Sequence, residues 1–402
     1  MVKSIERILS AIFHTIGVSN KRDQKFWIKL FEVLIHMRGR KNYTNIARYG
    51  SFSESTLRRR MSQPLDWLSF NLGLLDQSGA KARSPLIGVI DCSFLHKSGS
   101  KTYGLDKFWS GVAKKPLKGL EISLLGVIEV ISQKTWAIDV QQTPAGLSRQ
   151  DSSQLSSRLD HYLAQLNRCL PSLPEVLYWV ADSFYAKAKV FQFINAQGRF
   201  LITQLRSDAN LRYLTALKNP SKPGPKPKRG EKVDFSDLSR WQFLGRDFRF
   251  AHLHLYTQQL YSPQFHLLLK VVLVKNTITN KYQVLASSNP EQDSRQIVAY
   301  YQARFHLEFV FRDAKQFAGL EHAQTRKKDN LHNHFNLAMA SINIMNILQL
   351  TLTNITSKNS LIRIAFNTNL IHQLIRKLDL KPELVNSKYQ FDELYYYGAF
   401  AA

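Results

Sequence analysis

Two short apolar runs, each leading to an aspartate, constrain most strongly what this chain can fold into. The run SPLIGVIDCSFL predicts a strand that ends at Asp91. The run EVLYWVADSFYAKAKVFQFINAQG predicts a second buried strand, which ends at Asp182 and leads into a helix. Between the two lie β-rich runs and a helical run that ends in prolines. Strands alternating with helices at this spacing indicate an α/β core.

The regions around this core differ from it in composition and in predicted secondary structure. These differences define the expected domain organisation. Within the β-rich insertion, residues 218–232 (KNPSKPGPKPKRGEK) are rich in Pro, Gly and Lys, so they can form neither a helix nor a central strand. We expect this basic segment to be a solvated loop. The expected regions are a helical N-terminal region at 1–78, an α/β core at 79–207 and 289–345, a β-rich insertion at 208–288, and a helical C-terminal region at 346–402.

The N-terminal region contains a candidate DNA-reading element. The stretch NYTNIARYGSFSESTLRRRMSQPLDW predicts two short helices around Gly50, and the second helix carries Arg58, Arg59 and Arg60. A helix pair with a basic second helix is typical of a helix-turn-helix that enters a DNA groove. A helical hairpin that serves only as scaffold has the same pattern.

The charge balance indicates an anionic partner. The chain has 55 Lys and Arg against 30 Asp and Glu, a formal net charge of +25. Such an excess favours nucleic acid first and an anionic membrane surface second. The two cysteines form neither a disulfide framework nor a Cys-based zinc site, and no apolar run is long enough for a membrane span. We therefore expect a cytoplasmic, nucleoid-associated protein that binds DNA and no membrane.

One predicted helix, AYYQARFHLEFVFRDAKQF at 299–317, combines apolar side chains with a charged stripe. At 100° per residue, the stripe residues fall within an arc of roughly 80°. Apolar residues fill most of the remaining circle, so the helix is expected to be largely buried. A buried carboxylate needs a cation, a metal or hydrogen bonds. The stripe consists of Tyr301, Arg304, Glu308, Arg312 and Lys315.

Three acids that are far apart in sequence suggest phosphoryl-transfer chemistry. Asp91 and Asp182 each follow an apolar strand, and Glu308 lies on the charged helix. Carboxylates of this kind hold Mg²⁺, and two such ions can assist an in-line displacement at phosphorus. Taken singly, each residue is more typical of a turn, a cap or a salt-bridged helix face. It is their combination on a basic chain that favours catalysis.

The spacing of the stripe resembles a known signature. Tyr301, Arg304, Glu308 and Lys315 match the YREK motif of DDE insertion-sequence transposases at the family's spacing. The blocks GVIDCSFLHKSG and WVADSFYAKAKVF resemble the two aspartate blocks of that family. The three acids lie 91 and 126 residues apart, and the second interval is long enough for the β-rich insertion of this branch. The resemblance covers about residues 40 to 345.

The resemblance implies a fold and a set of roles. The fold is a ribonuclease H-like mixed α/β core, with the β-rich insertion placed before the last catalytic helix. Asp91, Asp182 and Glu308 are implied to bind two Mg²⁺ or Mn²⁺ ions. Arg304 and Lys315 are implied to face DNA phosphates near the cut, with Tyr301 supporting them.

Three further residues have two interpretations, a DNA contact or an ordinary structural role. Family members tend to place an aromatic residue at the end of the insertion, where it stacks on a flipped base. Tyr282 lies nearest to that position, although an ordinary strand aromatic is the commoner interpretation. His96 and Lys97 follow the first acid and are expected in a solvated loop, with DNA contact as the alternative.

The sequence thus predicts a transposase that cuts and rejoins DNA at the ends of an insertion sequence by a cut-and-paste route. Its expected partners are double-stranded DNA with terminal inverted repeats, target DNA, and a second copy of the chain in a synaptic homodimer. The alternatives are a non-catalytic DNA-binding regulator derived from a transposase and a stand-alone metal-dependent DNA nuclease.

Overall fold

The computed structural model describes residues 2–147, 157–214, 230–352, 355, 357–379 and 392–400. Helices dominate both ends of this part of the chain. None of the described helices is both long enough and apolar enough to cross a membrane. The helices are α1 (Val2–Thr15), α2 (Lys21–His36), α3 (Tyr43–Tyr49), α4 (Glu54–Arg60), α5 (Trp67–Ser78), α6 (Ala80–Arg83), α7 (Arg158–Cys169), α8 (Ala188–Ala196), α9 (Ser294–Ala303), α10 (His306–Phe317), α11 (Lys328–Thr351), α12 (Lys358–Lys377) and α13 (Asp392–Tyr396).

The strands form one mixed sheet, in the order β2-β3-β1-β5-β6-β10-β9-β8-β7, with β4 paired to β3. Strand β1 lies between an antiparallel neighbour, β3, and a parallel neighbour, β5. Together with the helices, this sheet makes the protein a mixed α/β fold. The strands are β1 (Leu86–His96), β2 (Asp106–Ser110), β3 (Lys115–Glu129), β4 (Thr135–Gln142), β5 (Tyr178–Ala181), β6 (Phe200–Leu205), β7 (Gln242–Arg246), β8 (Leu253–Ser262), β9 (Leu267–Asn276) and β10 (Tyr282–Ser287).

The first strand is longer than the sequence predicted. We expected it to end at Asp91, but β1 continues to His96. The reason is its antiparallel partner, because β3 pairs with β1 without interruption from Leu86↔Glu129 to His96↔Gly119. Only the parallel partner β5 stops early, after the pair Ile90↔Ala181. Asp91 therefore lies inside a strand, at the point where the neighbour on one side ends.

The insertion extends the sheet instead of forming a separate one. Strand β10 pairs antiparallel with β6, and β9, β8 and β7 follow in order. The basic Pro/Gly loop expected at 218–232 falls mainly on residues 218–229, which lie outside the described residues. At the described end of this segment, Lys232 forms an isolated antiparallel β-bridge with Arg212.

Helix α11 covers the edge strand β4 with a row of asparagines. An edge strand presents unpaired backbone groups that need partners when they are buried. The Asn343 amide accepts a hydrogen bond from the Ala137 N–H (3.0 Å) and donates one to the Ala137 carbonyl (2.7 Å). Asn336 donates to Val140 O (3.0 Å) and Asn346 to Thr135 O (3.2 Å). These side chains supply the backbone hydrogen-bond partners that a further strand would otherwise provide.

The same helix also holds the N-terminal helices against the core. Asn333 donates to the carbonyls of Met61 and Gln63, both at 2.8 Å, and accepts from the Trp67 indole N–H at 2.7 Å. Asn330 donates to Arg58 O at 3.1 Å. The buried polar row of this helix joins three parts of the molecule, and it was not predicted from the sequence.

Candidate active site

Asp91 and Asp182 occupy adjacent places on parallel strands. Strands β1 and β5 pair as Gly88↔Trp179, Val89↔Val180 and Ile90↔Ala181. Asp91 follows Ile90 in the chain, and Asp182 follows Ala181. Neighbouring strands lie about 4.8 Å apart. The sheet therefore brings together two acids that are 91 residues apart in sequence.

Backbone hydrogen bonds hold both carboxylates. The Cys92 N–H donates to Asp91 Oδ1 (2.8 Å), and the Phe184 N–H donates to Asp182 Oδ1 (3.0 Å). The second bond makes Asp182 the cap of a 3₁₀ turn at Ser183–Tyr185. The Thr203 hydroxyl on β6 also donates to the Asp182 carbonyl at 2.8 Å. Each acid is thus oriented by the chain immediately after it.

The expected single helix at 299–317 is two helices, α9 and α10, joined at Arg304 and Phe305. The joint is a tight turn, because Leu307 N–H donates to Arg304 O (3.0 Å) and Glu308 N–H to Phe305 O (3.1 Å). These bonds span three residues, as in a 3₁₀-helix, where side chains at i and i+3 lie on one side. The junction still places Arg304 and Glu308 beside Asp91 on β1.

The Arg304 guanidinium joins the acids. It donates to Asp91 Oδ2 at 2.8 Å and lies 3.4 Å from Glu308 Oε1. Its charge also opposes the rise in the pKa of Asp182. Arg304 thus contacts two of the predicted acids directly and acts on the third, Asp182, only through its charge. The Arg304 side chain is only 16% exposed there.

Burial separates the electrostatic roles of the acids. Burial raises the pKa of Asp91 to about 6; Arg304 opposes this rise, whereas the charges of Asp182 and Glu308 add to it. Burial also raises the pKa of Asp182. Glu308, in contrast, is 47% exposed, so the expectation that the charged stripe is buried was wrong for this residue. The buried acid that needs compensation is Asp91, and Arg304 provides it.

The residue types of this centre suit a divalent cation. Carboxylate oxygens are the ligands that Mg²⁺ and Mn²⁺ prefer. Within the part of the chain that the structure describes, no three His, Cys, Asp or Glu side chains converge closely enough to hold a metal ion together. The guanidinium of Arg304, which lies between Asp91 and Glu308, sets their separation in this structure.

The other two residues of the signature flank the acids. The Tyr301 hydroxyl donates to Gln204 Oε1 at 3.0 Å, and its ring centre lies 5.9 Å from the Arg304 guanidinium. Lys315 lies further along α10, where its ammonium group donates to Phe94 O and contacts Glu321, both at 3.1 Å. Lys315 thus bridges α10 to β1 beyond Asp91.

The remaining predicted residues lie on other elements. Helices α3 and α4 flank Gly50, as the helix-turn-helix prediction requires. On α4, Arg58 pairs with Glu54 (2.5 Å), Arg60 pairs with Asp23 of α2, and Arg59 is exposed. Tyr282 begins β10, and its ring lies 5.9 Å from that of Phe235 inside the insertion.

A buried polar network, which was not predicted from the sequence, lies next to the two aspartates. The Cys92 thiol, next to Asp91, lies 3.6 Å from the hydroxyl of Tyr185, which follows Asp182. Close by, the Tyr162 hydroxyl donates to Glu121 Oε1 at 2.5 Å. This network connects the two chain segments that carry the acids. The sequence signal was weak, because it consisted only of a cysteine and a tyrosine close after the two aspartates.

A family model matches the part of the chain that carries two of the three predicted acids. Residues 149–344 match the family described as "Transposase DDE domain", a range that includes Asp182 and Glu308 and begins after Asp91. The match supports the DDE transposase family for this chain. No curated protein matches the chain.

Two solved structures illustrate the remote structural likenesses. An endonuclease V from Ciona intestinalis, in complex with DNA, is 12% identical over 74% of this chain and 100% of its own, with a TM-score of 0.25. The catalytic domain of human endonuclease V is 10% identical over 75% of this chain and 99% of its own, with a TM-score of 0.24. Likeness at this level carries no argument about fold or function.

Proposed function

We propose that this protein is the DNA transposase of an insertion sequence, which cleaves phosphodiester bonds at the element ends and transfers the freed strands to target DNA. The observation that carries the proposal is the adjacent position of Asp91 and Asp182 on the parallel strands β1 and β5, together with the Arg304 guanidinium that pairs with both Asp91 and Glu308. The match to the transposase DDE domain supports the same reaction class. The mixed sheet, with β1 between an antiparallel and a parallel strand, supports a ribonuclease H-like core.

In this proposal the three acids are the catalytic residues and the metal ligands. When bound, two Mg²⁺ or Mn²⁺ ions would activate the attacking oxygen and stabilise the leaving oxygen. Arg304 and Lys315 would contact phosphate oxygens beside the scissile bond, and Tyr301 would hold Arg304 in place. Water is the proposed nucleophile for the first cut, and the freed 3′-hydroxyl is the proposed nucleophile for strand transfer.

The proposed partners follow from the charge of the chain and its N-terminal helices. A net charge of +25 favours double-stranded DNA, and the exposed Arg59 on α4 is available to a groove of the terminal inverted repeat. Tyr282 remains the proposed base-stacking residue of the insertion. The protein would act as a homodimer that brings two element ends together on the nucleoid in the cytoplasm.

The variant Glu308→Gln tests the catalytic assignment. We expect it to lose Mg²⁺-dependent cleavage of an element-end duplex by at least about 100-fold while retaining DNA affinity, because the amide removes a charged metal ligand. Mg²⁺ should raise the Tm of the wild-type protein, since a ligand that binds only the folded state stabilises it, and should raise that of the variant less.

The matched control for this experiment is Glu231→Gln, which changes an exposed carboxylate of the insertion. Wild-type cleavage by Glu308→Gln would overturn the assignment. A second assay with pre-cleaved ends separates a transposase from a stand-alone nuclease, because only the transposase joins those ends to target DNA. A protein that binds DNA but neither cuts nor joins it would instead be a regulator.

A further inference from the structure

A polar cleft of about 960 Å³ opens between two loops. It lies beyond the acidic centre, which consists of Asp91, Asp182 and Glu308. One wall is the loop that follows β1, at residues 96–102, and the other is the loop between α10 and α11, at residues 321–326. Lys97 ties the walls together, because its ammonium group donates a hydrogen bond to the Ala323 carbonyl. The cleft is therefore a formed feature of the fold and not a gap between unrelated loops.

Cations dominate the lining of this cleft. Arg40, Lys97, Lys101 and Arg326 line it, and Glu321 is the one carboxylate among the described lining residues. Glu321 is already paired with Lys315 at 3.1 Å. Burial lowers the pKa of Lys97, as expected for an ammonium group without a nearby carboxylate. A concave surface with this charge attracts an extended anion.

The two walls of the cleft follow, in the chain, the strand that carries Asp91 and the helix that carries Glu308. Strand β1 leads from Asp91 to His96, and α10 leads from Glu308 to Lys315, whose ammonium group bonds to Phe94 O on β1. At about 3.3 Å per strand residue, the mouth of the cleft lies roughly 17 Å from Asp91. Each strand of a DNA duplex advances about 3.4 Å per nucleotide, so this distance corresponds to about five nucleotides.

We infer that the cleft binds the phosphate backbone of the DNA about five nucleotides from the scissile phosphodiester, through Lys97, Lys101 and Arg326. The inference rests on the proposed function, because the acids define where the strand is cut. It also gives a binding role to Lys97, in the loop that begins directly after His96 at the end of β1. The contacts are to phosphate, so they hold DNA of any sequence and set its path away from the acids.

The double variant Lys101→Gln/Arg326→Gln tests the inference, since both side chains are exposed and their loss leaves the fold intact. Binding of a duplex of about 40 base pairs is measured as a function of salt. Each phosphate contact contributes about 0.9 to the slope of log K against log salt. We expect the slope of the double variant to be shallower by nearly 2, and its affinity at low salt to fall at least about 10-fold.

The matched control is Lys25→Gln/Lys377→Gln, which removes the same charge at exposed positions on α2 and α12. A slope that is equal in the two double variants would overturn the inference, as would a wild-type protein that does not bind the duplex. Neutral methylphosphonates placed four to six nucleotides from the cut locate the contact. They should weaken wild-type binding more than the binding of Lys101→Gln/Arg326→Gln, which keeps only Lys97 of the three proposed contacts.

The two proposals fail in different ways. Loss of cleavage in Glu308→Gln together with an unchanged salt slope in Lys101→Gln/Arg326→Gln would leave the transposase and remove the cleft. A shallower slope in the cleft variant together with normal cleavage by Glu308→Gln would leave the DNA-binding cleft and remove the catalytic assignment.

Discussion

At the acidic centre, one arginine sets the electrostatic balance of three carboxylates. Arg304 pairs with Asp91 on β1 and with Glu308 on α10, and its charge also acts on Asp182. The i,i+4 pair with Glu308 could be predicted from the sequence. The pair with Asp91 could not, because only the packing of α10 against β1 brings the two residues together.

The variant Arg304→Gln should lower the free energy of unfolding by about 2–3 kcal/mol in the absence of divalent ions, because the buried Asp91 carboxylate loses its cation. Urea denaturation in buffer with a chelator measures the effect. Arg312→Gln is the control, since Arg312 is 63% exposed and should change stability by less than about 0.5 kcal/mol. Equal effects of the two variants would contradict the role of Arg304 at this centre.

At the scale of single elements, α11 supplies hydrogen-bond partners for the backbone of β4. Its five asparagines at positions 330, 333, 336, 343 and 346 are all buried. The row facing β4 satisfies backbone groups that an edge strand leaves unpaired. Asparagine is a moderate helix former at best, so tertiary hydrogen bonds, and not helix propensity, account for this composition.

The variant Asn343→Ala should destabilise the protein by about 2–4 kcal/mol, because the Ala137 N–H and carbonyl become buried without partners. Chemical denaturation measures the loss, and faster hydrogen exchange at the Ala137 amide localises it. The control is Ser341→Ala in the same helix, where the buried hydroxyl bonds only within the helix, to Leu337 O, and the expected change is below about 1 kcal/mol. Normal protection of Ala137 in Asn343→Ala would show that the asparagine does not cap this strand.

The α9–α10 junction is a second feature that the apolar periodicity of the sequence did not predict. The apolar spacing of 299–317 continues through Arg304 and Phe305 without a proline or glycine, so it predicts one helix. The chain instead tightens to three-residue hydrogen bonds at this point. The change is too local to appear in a periodicity that is averaged over several turns.

At the scale of the whole molecule, docking of the N-terminal helices onto the core buries a cation. Lys41 lies beside the end of α10 and against α2 and α11, where its ammonium group donates to Leu34 O and its backbone N–H to His322 Nδ1 (3.0 Å). Burial lowers the pKa of Lys41 to about 7. Between that value and its ordinary pKa of 10.5, the unfolded chain binds more protons than the folded protein.

Stability should therefore rise by about 3 kcal/mol as the pH increases from about 7 to 10, because the folded protein escapes the cost of burying a charged ammonium group. The variant Lys41→Met should be more stable than the wild type at pH 7, by about 2–4 kcal/mol, and the two should converge near pH 10. Denaturation curves at several pH values provide the measurement. Lys25→Met, at an exposed position on α2, should follow the wild-type curve, and a constant gap between Lys41→Met and the wild type would refute the burial argument.

The α/β class could be predicted from the sequence, and the mixed sheet with its helices confirms it. The helical ends, the β-rich insertion and the candidate acids were also read from the sequence, and the functional role of those acids stays a prediction. These features depend on local periodicity and on residue spacing, which a single chain displays directly. The tertiary structure alone decided that β1 continues past Asp91, that Asp91 and Asp182 are neighbours across a parallel register, and that Arg304 lies between Asp91 and Glu308. Pairing partners and long-range contacts decide such features, because a strand end, a buried charge or an edge cap has no local signal when its partner lies on another element of the chain.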